Sequence, residues 1–79
     1  MIVKKKANSD SYYYLNIDRN GDYVFYDHPI STCIMFDTDE QAINWFNNNF
    51  DKIKHLLEKG DKVYVYGDYK AYVYGDCDD

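Results

Sequence analysis

The sequence predicts an α+β two-layer sandwich, a mostly antiparallel sheet with one helix packed on one face, in the order β-β-β-α-β-β. Three observations lead there. Residues 12–27 read as a hairpin, with two tyrosine- and β-branched-rich runs flanking Asn20-Gly21, a pair that tolerates the positive φ of a tight turn. Apolar residues from Ala42 to Leu57 recur at steps of three and four, the spacing of one helical face. Val63-Tyr64-Val65-Tyr66-Gly67-Asp68 recurs as Ala71-Tyr72-Val73-Tyr74-Gly75-Asp76, and the two copies read as a second hairpin.

Taken in order, residues 1–10 carry Lys4-Lys5-Lys6 and are expected to be a flexible, basic N-terminus. With Asn20-Gly21 as a two-residue loop, Ile17 faces Val24, Leu15 faces Tyr26 and Tyr13 faces His28. That more aliphatic side is expected to point inward. Tyr12, Tyr14, Asn16, Asp18, Tyr23 and Phe25 take the other side. His28-Pro29 ends the hairpin, and residues 32–36 read as a short third strand. Asp37-Thr38-Asp39-Glu40-Gln41 opens the helix, since Thr38 and Gln41 have capping-box spacing and the acids suit the positive end of the helix dipole. Ala42, Ile43, Trp45, Phe46, Phe50, Ile53, Leu56 and Leu57 form its apolar face. Gly60 is placed to end it, and Asn47-Asn48-Asn49 is where it would bend or split. The last hairpin has two registers. A Gly67-Asp68 loop sets Tyr66 opposite Tyr69. A longer loop aligns Val65 with Val73 and Tyr66 with Tyr72, and is preferred because it keeps the small valine and alanine side chains together. Residues 77–79 are expected to be an acidic tail.

A chain of 79 residues is expected to form one domain. It holds 14 Asp and Glu against 9 Lys and Arg, a net charge of −5. The excess lies entirely beyond residue 36: residues 37–59 carry −2 and residues 60–79 carry −3. Such a field repels a phosphate backbone and attracts basic protein surfaces. Two cysteines are too few for a four-thiolate zinc site and suit a cytoplasmic protein with reduced thiols. No apolar run reaches the roughly 20 residues of a membrane span. A Gly-rich phosphate loop, a GxSxG and an HExxH are all missing, and neither His28 nor His55 has a nucleophile at a local spacing. Asp18-Arg19-Asn20-Gly21-Asp22 misplaces the glycine of a calcium loop and reads as a plain hairpin turn. The sequence therefore argues against an enzyme, a cofactor or a metal centre.

The candidate site follows from the layers. One helix covers one sheet face, leaving the other open. Tyr14, Tyr23, Phe25, Tyr64, Tyr66, Tyr72 and Tyr74 are expected to crowd that face, with Asp37, Asp39, Glu40, Asp68 and Asp76 beside them. Monomers seldom expose large apolar patches without a use, and tyrosine is enriched at interfaces. Cross-strand tyrosine ladders that only stabilise a half-wet sheet are the alternative reading. As a contact surface, the set points to a protein partner with a basic surface. A homodimer that buries its own tyrosines is a second reading. Stacking on single-stranded nucleic acid is a third, which the charge balance opposes.

At class level the chain resembles the small acidic inhibitors that phages and mobile elements encode against host nucleases, the anti-CRISPR and anti-restriction proteins. The likeness rests on one short domain rich in Asp, Tyr and Asn, with acidic segments beside tyrosine-rich strands such as Val63-Tyr64-Val65-Tyr66-Gly67-Asp68. It implies a phage-encoded protein in the cytoplasm of a bacterial host, with a host nuclease or effector complex as partner. The junction Phe36-Asp37-Thr38-Asp39-Glu40-Gln41-Ala42 is also similar to that of the sheet-plus-helix DNA-binding arms of phage integrases. Those arms are basic on the sheet, whereas this sequence is tyrosine-rich there. Neither likeness assigns a role to a particular residue.

Overall fold

In a computed structural model of the chain, the structure describes residues 1–6, 9–65 and the backbone of Ala71–Val73. Five strands form one antiparallel sheet: β1 (Ile2–Lys5), β2 (Tyr12–Ile17), β3 (Tyr23–Tyr26), β4 (Lys62–Val65) and β5 (Ala71–Val73), in the spatial order β3-β2-β1-β4-β5. Helix α1 (Asp39–Ile53) lies between β3 and β4 in the chain and packs on one sheet face. This is the expected α+β sandwich and the expected element order, but the strands are not all the expected ones.

The N-terminus is the largest correction. Rather than a flexible arm, residues 2–5 are the central strand, paired with β2 through Val3↔Tyr14 and with β4 through Val3↔Tyr64. Strand alternation explains how a lysine-rich segment serves there. Ile2 is fully buried beneath the helix, Val3 and Lys5 point to the other side, and Lys4 lays its stem on the core. Residues 32–36, expected as a strand, make only the isolated bridge Asn16↔Cys33. They take over the edge of β2 where its pairing with β1 stops, with Ile17 N–H donating to Thr32 O at 3.2 Å and Ile34 N–H to Leu15 O at 2.9 Å.

The first hairpin is shifted by one residue. Ile17 pairs with Tyr23, Leu15 with Phe25 and Tyr14 with Tyr26. The cause is Asp18. Its Oδ1 accepts from the amides of Asn20 at 2.8 Å and Asp22 at 3.0 Å, and its carbonyl accepts from Gly21 N–H at 3.0 Å. Gly21, at φ +85°, then takes the left-handed position. The loop is thus the three-residue kind, a turn followed by a left-handed glycine, instead of a two-residue Asn-Gly turn. A one-residue slip turns every β3 side chain over. Tyr23 and Phe25 consequently pack against the core, and Val24 and Tyr26 face away.

The helix begins as expected. Thr38 caps it, its Oγ1 accepting from Gln41 N–H at 3.2 Å, while Gln41 Oε1 reaches back to the Asp37 amide at 3.1 Å. It runs unbroken through Asn47-Asn48-Asn49, where Asn49 Nδ2 donates to Trp45 O at 2.8 Å. Packing outweighs the weak propensity: Ala42, Phe46 and Ile53 are buried against the sheet. Gly60 does not end the helix. A 3-10 turn at Lys54–Leu56 does, and Leu57 is already extended. Gly60, at φ +93°, instead shapes the Glu58-to-Asp61 turn into β4, closed by Asp61 N–H to Glu58 O at 2.9 Å.

The last hairpin takes the register that was not preferred. Val63 pairs with Tyr72 and Tyr64 with Ala71, which is the spacing of a Gly67-Asp68 loop. The turn itself, Tyr66 and residues 74–79 lie outside the described residues.

Candidate contact face on the sheet

Opposite α1, strand alternation assembles one surface from four strands. Across the sheet Tyr26, Tyr14, Val3 and Tyr64 form a single cross-strand row. Tyr12, Lys5 and Lys62 form the next row. Val24 and Asn16 complete the face towards the Ile17 end. Tyr12 and Tyr26 are 46% and 37% exposed, so the rings are wet, while Tyr14 and Tyr64 are half-buried among them. The Tyr12 and Tyr64 rings meet with centroids 6.0 Å apart at 58°, and Tyr26 stacks on His28 at 6.5 Å. One end is closed: Asn16 is fully buried, with its Oδ1 accepting from Ile30 N–H at 3.2 Å and its Nδ2 donating to Tyr14 O at 2.7 Å. The loop after Pro29 therefore lies over Asn16, at the opposite end of β2 from Tyr12. By strand spacing and rise, the four-strand face measures about 300 Å².

Its charge differs from that of the whole chain. Among the described residues, the strand positions on this face include two lysines and no acid. The neighbouring turns add Asp10, 3.8 Å from Lys5 Nζ, and Asp27, 2.6 Å from His28 Nδ1; both pairs are solvent-exposed and contribute little. Asp37, Asp39 and Glu40 are exposed at the start of α1, on the helix layer.

The expected site thus divides. Tyr14 and Tyr64 lie on the open face, on either side of Val3. Tyr23 and Phe25 do not: Tyr23 meets Trp45 edge-on at 5.4 Å, and the Lys4 ammonium sits 4.8 Å from the Phe25 ring centre. Tyr72 is placed by backbone only, as the partner of Val63. Tyr66, Asp68, Tyr74 and Asp76 lie outside the described residues. Tyr26, Lys5 and Lys62 belong to the face and were not expected there. The parity of Lys62 with Tyr64 signals its membership, whereas Tyr26 and Lys5 depend on the Asp18 turn and on recognising β1.

One of the acids beyond residue 36 is not at the surface. Asp61 is fully buried, 3.5 Å from Lys4 Nζ, and its Oδ2 accepts from Glu58 N–H at 2.9 Å. Lys4 also donates to Leu56 O. This cluster ties β1 to the end of the helix and the start of β4.

Among the described residues no group of three or more His, Cys, Asp or Glu is placed to hold a metal ion, and no helix is long and apolar enough to cross a membrane. The chain matches no protein-family model, no curated protein and no solved structure.

Proposed function

We propose that the protein is a non-catalytic binding module that holds another protein on its open tyrosine face. One observation carries this reading: a row of tyrosines, Tyr26, Tyr14 and Tyr64, with Tyr12 beside it, stands on the sheet face that the helix does not cover. Tyrosine gives large contact area at low conformational cost, and its hydroxyl tolerates water when the partner is absent. A standard interface takes roughly 800 Å² per partner, so a face of about 300 Å² would be the centre of the contact, with its surroundings as the rim. The narrower version, an inhibitor that fills the nucleic-acid groove of a defence enzyme, would draw also on Asp37, Asp39, Glu40, Asp68 and Asp76; the first three stand at the start of α1, on the helix layer, and the last two lie outside the described residues.

Affinity capture from the native cell tests it. Wild type and an Asp39→Asn/Glu40→Gln variant are expected to retain the same partner, and a Tyr14→Ala/Tyr64→Ala variant of matching thermal stability is expected to lose it. Retention by the tyrosine variant would refute the reading.

A further inference from the structure

Resting on the reading just given, we infer that the partner surface seated on the tyrosine face is acidic, with carboxylates opposite Lys5 and Lys62. A chain of net charge −5 is expected to attract basic surfaces, yet among the described residues the strand positions where its tyrosines gather carry two lysines and no acid. Lys5 and Lys62 are register partners on adjacent strands, in the row next to Tyr14, Val3 and Tyr64. Lys62 is exposed, and the Lys5 side chain keeps 30% of its surface open. Among the described residues Asp10 is the acid paired with Lys5, and its side chain is fully solvated, so a bound carboxylate can replace it at small cost.

A basic partner would set its own positive charge against both ammonium groups at the rim, a like-charge contact that specific interfaces avoid. An acidic partner pairs them at the rim while its apolar groups cover the phenol rings. The net charge of the chain then opposes long-range approach even though the local contact is favourable. Charge reversal is accordingly more diagnostic than salt titration.

The test uses the full chain, labelled for amide spectra, and three probes: a random glutamate–tyrosine copolymer, a lysine–tyrosine copolymer and a short deoxythymidine oligonucleotide. The glutamate copolymer is expected to shift the amides of Lys5, Tyr12, Tyr14, Lys62 and Tyr64. A Lys5→Glu/Lys62→Glu variant is expected to bind it roughly tenfold more weakly, with Lys5→Gln/Lys62→Gln between the two should the reversal disturb folding. Equal binding by all three proteins, no shift on this face, or the lysine copolymer seated there instead would overturn the acidic assignment. Tighter binding of the oligonucleotide would make nucleic acid the occupant, and a dimer dissolved by Tyr14→Ala/Tyr64→Ala would make it a second copy; either overturns the proposal. The contact reading fails on a different result, retention of the captured partner by the tyrosine variant.

Discussion

Lys4 and Asp61 put opposite charges into the core of a small protein, 8% and 0% exposed at the side chain. Such a pair adds little net stability, because desolvation offsets attraction, but removing one member strands the other. Asp61→Ala is therefore expected to cost about 3 kcal/mol in urea unfolding, and Lys4→Met together with Asp61→Ala is expected to recover part of that. A double variant no better than the single would refute the pairing. Neither partner was legible as buried. Lys4 reads as one of three solvated lysines, and Asp61 as one of 14 acids, until β1 is known to be central. Gly21 was more legible as a turn glycine than in its detail. At φ +85° with nothing near a built Cβ, Gly21→Ala is expected to cost about 1 kcal/mol through backbone strain alone. The Met1 amine and Cys33 give the pH dependence. Burial pushes the amine from 8.0 down to about 6, against the raising effect of Cys33 and Asp39. Burial pushes the Cys33 thiol up, opposed by the amine. Between pH 8 and pH 6 the unfolded chain takes a proton that the folded amine refuses, so this part of the stability falls as pH drops through that window. The thiol acts in the other direction: its stabilising contribution is present at neutral pH and is lost as pH rises above the ordinary thiol range. Urea midpoints should decline on both sides of about pH 8; acetylating the amine should remove its share of the acid decline, and Cys33→Ala the thiol share of the alkaline one.

At the scale of elements, the helix was read best because its signals are local. A threonine cap, first-turn acids and a repeating apolar face need no knowledge of the rest of the chain. The strands were harder, since a strand is defined by its partners. The Asp18 side chain chose a three-residue loop and turned β3 over. Thr32 to Ile34 found only a short length of β2 edge. Residues 2–5 carry too few apolar groups to be recognised, yet they hold both halves of the sheet together. Deleting residues 1–5 is accordingly expected to abolish cooperative unfolding, because β2-β3 and β4-β5 would lose the strand between them. A flexible arm would leave the melting curve nearly unchanged, so circular dichroism of the truncated chain separates the two.

For the whole molecule, the proposed contact follows from which surface each layer leaves outside. The helix layer is acidic at its start, and the sheet layer presents tyrosine and lysine. The sequence made the open face expected and placed Tyr14 and Tyr64 on it, but the slipped register removed Tyr23 and Phe25 and supplied Tyr26. The central claim is that these rings are open to solvent when the protein is alone. Paramagnetic relaxation by a soluble, uncharged probe measures this directly. The ring protons of Tyr12 and Tyr26 are expected to relax most strongly, those of half-buried Tyr14 and Tyr64 less, and those of buried Phe46 least. Protection of Tyr14 and Tyr64 to the level of Phe46 would contradict the account.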